Sequence, residues 1–309
     1  MPMTNFPQGV SSFGIPLIGS GPILTTGNIF FVNSTAPLAS DNVNNGRDPL
    51  RPFATIDYAI GQCTANNGDH IIAGPGHVET LIASGTCALD VAGVTIVGLG
   101  NGANRASFNC TTATAARVTA SAANCTIRNM LWTGGFDNLA SPLLVTAADF
   151  KLLDCEYRDV TGQAATFLQT NASANRMLVD GFTYRGDTAA GGASAIFLVG
   201  GADIEIRNFK ITGNFSAGAI EVRTTLTSRL WIHDGLIKTN NAADLCIRDL
   251  ITGSTGWIGP NLFLDLTDDA SNITEAVTGA TFRVFDPVYV NNADAEKALL
   301  INWTAATDL

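Results

Sequence analysis

Apolar and polar residues alternate in short runs along most of this chain, and residues 203–213 (DIEIRNFKITG) show the pattern most clearly. Ile204 and Ile206 alternate with charged residues, which predicts a strand with one buried face. After Asn208 the alternation resumes in shifted phase at Phe209 and Ile211. Because asparagine tolerates the left-handed backbone conformation, the stretch predicts two short strands that meet at a bend.

The same pattern recurs at 93–103, 124–134, 149–159, 176–186 and 229–239, with 31, 25, 27, 27 and 26 residues between successive bends. Each bend falls on a residue type for which a left-handed conformation costs little: Gly98, Asn129, Asp154, Gly181, Asn208 and Asp234. The position two residues before the bend is always apolar: Ile96, Ile127, Leu152, Val179, Ile206 and Ile232. From the repeat with the bend at Asn129 onward, the position three residues after the bend is also apolar: Trp132, Tyr157, Tyr184, Ile211 and Ile237. Such columns predict repeats that bury their apolar sides by stacking.

A third apolar run fits between successive bends, at 143–145, at 166–168, around Phe197, around Glu221 and at 245–247. Three strands and three bends in about 26 residues make one coil of a parallel β-solenoid. Coils stack about 4.8 Å apart, so roughly eight of them would form a column about 40 Å long. The prediction is an all-β protein whose residues 67–269 form this column.

The ends of the chain follow different patterns. Residues 1–28 carry Pro, Gly and Ser at close intervals among isolated apolar residues, which predicts an extended N-terminal docking arm that lies in a groove. Residues 29–66 predict a strand and a short helix, capped by Thr55 with Asp57 in its first turn, that closes the N-terminal end of the column. Residues 270–309 break the period and predict a C-terminal cap or contact segment.

The segment that enters the column resembles a known family. Two groups of residues carry the resemblance: Pro52, Phe53, Thr55, Ile56 and Ala59, then Gly68, Asp69, Ile71, Pro75, Gly76 and Glu79. They are similar to the entry segment of the right-handed parallel β-helix, or pectin-lyase-like, superfamily, over about 50 residues. The resemblance implies the fold, with a short N-terminal capping helix. It does not imply a chemistry, because lyases, hydrolases, adhesins and viral structural proteins share this fold.

Composition narrows the classes of partner. Only 14% of the residues are charged, against about 25% in typical soluble domains, so the outer surface is unusually neutral and compatible with coverage by other subunits. The alternative interpretation is a soluble β protein of low charge whose surface is not covered by other subunits. The net charge is −10 without a basic cluster, which argues against nucleic-acid binding. The sequence contains no run of 18 apolar residues, so it predicts no membrane span, and the N-terminus lacks the pattern of a secretory signal.

We predict no metal, no cofactor and no disulfide. The spacing of the six cysteines fits no zinc pattern, and Cys125 and Cys155 fall in inward columns of the repeat. His70, His77 and His233 are isolated in the sequence and are expected to be ordinary surface or cap residues.

Catalytic sets of the family are also missing from the sequence. The calcium-dependent lyases use clustered Asp ligands with a nearby Arg, and the hydrolases use paired Asp with a Gly-His-Gly turn. Asp268 and Asp269 are adjacent, so on a strand they would point to opposite faces. The strongest remaining constellation comprises Asp154, Glu156, Arg158 and Asp159 on an outward face, next to Asp180, Arg185 and Asp187. Stacking would bring Glu156 near Thr183 and Lys210. We expect an ion-paired surface there, and we predict no catalytic residue.

The leading functional hypothesis is a non-enzymatic structural protein of a bacteriophage virion, because the opening MTNFPQGVSSFGIP is similar to the start of phage structural proteins. It would be a homotrimer, assembled in the host cytoplasm, that decorates or cements the capsid and docks on the major capsid protein or other virion proteins through residues 1–28. The alternatives are a tailspike, lyase or hydrolase that acts on bacterial surface glycans, and a surface adhesin.

Overall fold

The computed structural model describes residues 25–110, 112–159, 164–186, 192–239 and 246–266, and the segments 10–12, 15–18, 21–22, 277–278, 282–285, 288–292 and 298–299. Most of the strands in these ranges are parallel, and each coil hydrogen-bonds to the next one. The chain forms a right-handed parallel β-helix, which confirms the fold class that the repeat predicts.

Each coil contributes strands to three faces of the column. Face A holds the strands before the predicted bends: Ile29–Val32, His70–Ala73, Thr95–Gly98, Thr126–Arg128, Lys151–Leu153, Leu178–Asp180, Gly256–Ile258 and Phe282–Val284. Face B holds the strands after them: Val78–Leu81, Ser107–Cys110, Leu131–Gly134, Glu156–Asp159, Thr183–Arg185, Leu262–Leu266 and Val288–Asn292. Two long strands, Glu205–Gly213 and Leu230–Thr239, run through both faces. Face C holds Cys87–Leu89, Val118–Ala120, Leu143–Val145, Thr166–Thr170, Ser194–Leu198, Ile220–Val222, Ile247–Asp249 and Val277–Thr278.

The predicted bends lie one above another. Asn129, Asp154, Gly181, Asn208 and Asp234 all have left-handed backbones, with φ between 49° and 73°. The prediction is wrong at Gly98, which does not have a positive φ; the left-handed residues of that connection are Gly100 and Gly102, next to a 3-10 turn at Gly102–Asn104. Gly98 is required for a different reason, because a Cβ there would come within 2.5 Å of the Asn129 carbonyl oxygen. A further bend at Asn261, with a φ of 55°, continues the column and was not predicted.

A second column of left-handed residues precedes face A. Its members all have a φ between 55° and 77°: Asn66, Gly93, Asn124, Asp149, Arg176, Asp203 and Arg229. The backbone N–H of Asp149 donates to the carbonyl of Asn175, and that of Arg176 donates to the carbonyl of Ala202. Each of these bends therefore hydrogen-bonds to the bend of the next coil.

The apolar columns fill the core as predicted. On face A, Ile71, Ile96, Ile127, Leu152, Val179, Ile206, Ile232 and Ile258 are register partners in sequence order, and none exposes any surface. On face B, Phe108, Trp132, Tyr157 and Tyr184 follow one another in register. The ring centroids of Phe108 and Trp132, and those of Tyr157 and Tyr184, lie 4.9 and 5.0 Å apart. Phe167 of face C lies between these two pairs, with its centroid 5.4 Å from that of Trp132 and 4.9 Å from that of Tyr157. Burial of each such side chain contributes about 1.5–3 kcal/mol relative to exposure.

The N-terminal end of the column is closed as the sequence predicts. The helix Ile56–Gly61 begins after Thr55, whose hydroxyl accepts a hydrogen bond from the Tyr58 N–H, and it buries Ile56, Ala59 and Ile60. The Glu79 carboxylate, from the first strand of face B, accepts the Ile56 N–H at 2.8 Å. The helix is therefore held both by packing and by a carboxylate at its N-terminus.

Other short strands complete the described pairings. Val10–Ser12, Ile15–Ile18 and Gly21–Pro22 form a small antiparallel sheet with one another. Gly201–Ala202 pairs with Thr227–Ser228, and Ala298–Leu299 pairs antiparallel with Val288–Asn292. The division into arm, capping unit, column and C-terminal segment stays a prediction. None of the helical segments described has the length and hydropathy of a membrane span.

Candidate functional site

Glu156 and three arginines on the outer side of face B form a group of ion pairs, which we call the arginine cluster (Arg105, Glu156, Arg158 and Arg185). Arg158 donates from Nε and Nη2 to the two Glu156 oxygens, at 2.6 and 3.1 Å. Arg185 Nε lies 2.9 Å from Oε1, and Arg105 Nη1 lies 3.6 Å from Oε2. Glu156 itself is 4% exposed.

Strand register brings the arginine cluster together. Arg158 is two residues from Glu156 on the same strand, so both side chains point outward. Arg185 is the register partner of Arg158 in the next coil, and Arg105 reaches in from the connection before Ser107–Cys110. Burial raises the pKa of the Glu156 carboxyl, but the Arg158 hydrogen bonds and the three guanidinium charges outweigh burial, so the pKa is lowered. The carboxylate is therefore ionised at neutral pH.

The predicted neighbours of Glu156 lie where stacking placed them. Thr183 is its register partner, and Lys210 is the partner of Thr183. Asp154 and Asp180 form separate ion pairs, with Arg128 at 3.2 Å and with Arg207 at 3.0 Å. These carboxylates belong to coil-to-coil bridges and do not join the arginine cluster.

The prediction that Asp159 lies on the outward face is wrong. It is the register partner of Gly134, in the inward row beyond Trp132 and Tyr157, and its carboxyl oxygens are buried. The strand Glu156–Asp159 alternates, so Asp159 points away from Arg158. Asp187, Asp268 and Asp269 lie outside the described residues.

A second group on face A was not foreseen from the sequence. His233 is 6% exposed, with Nδ1 at 2.6 Å from Asp234 Oδ2 and Nε2 at 3.2 Å from Glu205 Oε1. The Trp231 ring stacks on the imidazole at 4.0 Å and is 39% exposed, and Trp257 is its register partner in the next coil. The missed signal is the register, which places Glu205 opposite Trp231.

The other histidines have structural surroundings. His77 is fully buried in the N-terminal cap, where Nδ1 accepts the Ser34 N–H at 3.0 Å and Nε2 lies 3.1 Å from Glu79 Oε2. Since Nδ1 is an acceptor, Nε2 carries the hydrogen and donates to Glu79. His70 is partly buried, with Nδ1 at 3.0 Å from the Gly68 carbonyl.

Cysteines and carboxylates do not assemble a metal centre in the described ranges. Cys63, Cys87, Cys110, Cys125 and Cys155 are free thiols, and burial raises the pKa of Cys63, Cys110 and Cys155 to about 12. No group of three or more His, Cys, Asp or Glu side chains among the described residues has the geometry of a metal site.

Comparisons with known proteins give little beyond this geometry. No family model matches the sequence, and no curated protein matches it. Among solved structures, the fold is similar to a rhamnogalacturonan lyase, with a TM-score of 0.49 and 11% sequence identity over 89% of this chain and 90% of that chain. At that distance, the lyase's activity says nothing about the chemistry of this protein. The assignment of the chain to the right-handed parallel β-helices is based on its own strand pairing.

Proposed function

We propose that the protein is a non-enzymatic structural component of a bacteriophage virion, a homotrimer of β-helices that decorates or cements the capsid. The supporting observation is how the column uses its surface charges. Four ion pairs each link a residue of one coil to a residue of the next: Arg128–Asp154, Arg176–Asp149, Arg207–Asp180 and Arg229–Asp203. Charges used in this way brace the column along its axis, as suits a protein whose task is mechanical.

The neutral composition of the surface supports assembly with other chains. With 14% charged residues, and several of those charges paired between coils, large parts of the column present small polar and apolar side chains. Interfaces that stay assembled are depleted in charged residues at their core. Packing of three columns side by side would cover such surfaces.

Residues 1–28 would connect the protein to the particle. Their similarity to the start of phage structural proteins and their apolar, weakly charged composition suit a segment that binds in a groove of the major capsid protein. The test is to add purified protein to particles that lack it, wash them, and quantify the bound copies. We expect many copies per particle for the full chain. A variant in which residues 1–24 are scrambled, with unchanged composition, should leave the column folded and should not bind. Residues 25–28 are kept because Thr25 and Asn28 hydrogen-bond to Gly68 and Asp69 of the first coil.

The alternative is binding or cleavage of bacterial surface glycans, favoured by Trp231 on face A. An exposed indole beside the carboxylates of Glu205 and Asp234 could stack on a sugar ring and hydrogen-bond its hydroxyls. Incubation with capsular polysaccharides, followed by assays for new reducing ends and unsaturated sugars, would detect cleavage. Release of such products, lost in Glu205→Gln, would replace the structural proposal by the enzymatic one.

A further inference from the structure

The arginine cluster carries more positive charge than its carboxylate neutralises. Arg105, Arg158 and Arg185 surround Glu156, which leaves a local charge of +2 in a chain whose net charge is −10. Elsewhere on the described surface, Arg128, Arg176 and Arg229 each have an aspartate partner. Arg117 and Arg248 instead hydrogen-bond to Ser141 and to the Ala217 carbonyl. What sets the arginine cluster apart in the described part of the column is that three guanidiniums share one carboxylate.

Hydrogen-bond donors are in excess as well. Each guanidinium has five N–H donors, about fifteen in total for the three arginines, whereas one carboxylate accepts about four hydrogen bonds. The closest contacts to Glu156 use Nε and Nη2 of Arg158, Nε of Arg185 and Nη1 of Arg105. Arg105 Nε is buried and has no hydrogen-bond partner among the described residues. Among the described residues, Glu156 thus takes up four of these donors and leaves the others for another acceptor.

The charged neighbours that the structure describes on face B do not remove this excess. Lys210 lies two coils from Glu156 in the same row and adds positive charge. Lys238 lies 3.5 Å from Asp265, and Asp154 is paired with Arg128. Asp159, the nearest carboxyl along the strand, is in the inward row.

The surface beside the arginines is polar. In register, Asn109, Thr133, Arg158, Arg185 and Thr212 form one outward row, and the Thr133 hydroxyl lies 3.0 Å from Asn109 Oδ1. Arg185 is 66% exposed and Arg158 is 30% exposed, so a ligand can reach both guanidiniums from solvent. The rigid strands on either side fix the spacing of the charges.

We propose that Arg105, Arg158 and Arg185 form a binding site for a doubly charged oxyanion of the phosphate or sulfate type. Two unneutralised positive charges match the charge of such an ion, and guanidinium N–H pairs match its oxygens. Guanidiniums from two neighbouring strands and one connection can contact several oxygens of a tetrahedral anion, whereas one arginine fork is enough for a planar carboxylate. The anion could be free in solution or the phosphomonoester of a larger molecule. This inference does not depend on the proposed role in a virion.

Calorimetric titration of the full chain at low ionic strength tests the proposal, with inorganic phosphate and phenyl phosphate as separate ligands. The variant is Arg185→Gln, and the matched control is Arg128→Gln, which removes an equal charge from a side chain of similar exposure, 57% against 66%. We expect saturable binding of one phosphate per chain, weakened about tenfold or more by Arg185→Gln and less than about twofold by Arg128→Gln. Thermal unfolding should show that both variants are folded.

Each outcome decides a point. Tighter binding of phenyl phosphate than of phosphate would assign the site to phosphomonoesters, and binding of inorganic phosphate alone would assign it to the free ion. Absence of saturable binding to the wild-type chain would overturn the proposal. Equal weakening by the two variants would overturn it too, because the effect would then reflect net charge and not this site.

Discussion

Arg176 donates from Nε and Nη2 to the two carboxylate oxygens of Asp149, at 2.7 and 2.6 Å, although both residues have left-handed backbones with φ of 56° and 60°. Arg229 and Asp203 repeat this arrangement two coils later. A left-handed arginine is uncommon because its Cβ crowds the following carbonyl oxygen. The paired hydrogen bonds from Arg176 to the Asp149 carboxylate, one coil away, compensate for this crowding.

Two replacements of Arg176 should distinguish the contribution of the ion pair to stability from the cost of the left-handed backbone. Arg176→Ala loses the bridge to Asp149 and keeps the strained backbone, whereas Arg176→Gly loses the bridge and relieves the strain. We expect both variants to melt at lower temperature than the wild type at low salt, with Arg176→Ala the lower of the two. In high salt the gap between the wild type and the variants should narrow, because the pair is exposed and screened. An unchanged melting temperature in Arg176→Ala would show that the bridge contributes nothing.

Acid should weaken the column through the same bends. The Arg176 and Arg229 hydrogen bonds lower the pKa of Asp149 and Asp203 below the ordinary value of 3.8. Both groups therefore bind protons more tightly in the unfolded chain, so their stabilisation is present above about pH 4 and is lost as the pH falls through the lowered values. Thermal melts between pH 6 and pH 3 should show a smaller acid loss in the double variant Asp149→Asn, Asp203→Asn. A loss equal to that of the wild type would assign acid sensitivity to other carboxyls.

The sequence predicts the part of the fold that depends on side-chain type at a fixed spacing. Successive residues of the aliphatic row on face A are register partners, and so are successive residues of the aromatic row on face B. Both rows were expected, because their period of about 26 residues and their apolar character are visible in the sequence. The second column of bends was not located from the sequence at all. At Arg176 and Arg229 residue type gives no signal, since arginine does not favour a left-handed backbone. Only the bridge to the neighbouring coil, a contact between distant residues, explains their position.

Gly134 and Tyr157 offer a test of packing inside the column. A Cβ at residue 134 would collide with the Tyr157 hydroxyl, so Gly134→Ala should lower the free energy of unfolding by about 1–3 kcal/mol. Tyr157→Phe removes that hydroxyl and should recover about 1 kcal/mol or more of the loss when the two changes are combined. Urea unfolding of the four combinations measures the coupling. Additive effects would mean that the two side chains do not meet.

Asp249 should destabilise the column at neutral pH. It lies in the inward row of face C after Leu198 and Val222, and burial raises its pKa, although the Ile251 N–H and the Ser254 hydroxyl donate to it. Its folded form holds the proton more tightly than the unfolded chain, so stability is greatest below pH 3.8 and falls as the pH rises through the raised value. Asp249→Asn keeps an acceptor for Ile251 and should be more stable by about 1 kcal/mol at pH 7, with no gain at pH 3.5. Equal stability of the two proteins at pH 7 would refute this account.

The candidate site could be predicted only in part. Arg158, Arg185 and Glu156 were recognisable as one stripe because their spacing follows the repeat. Arg105 comes from a connection that does not follow the period. The inward direction of Asp159 follows from its place two residues after the inward Tyr157, and the prediction overlooked this alternation. The His233 group required the register of Glu205 against Trp231, which a single strand does not reveal.

The central claim, that this column is a structural part of a phage particle, is tested most directly by counting its copies in purified, salt-washed particles with quantitative mass spectrometry. The account predicts many copies per particle, in a multiple of three, with residues 1–28 protected from protease. Its absence from washed particles, or a single monomeric copy, would contradict the account.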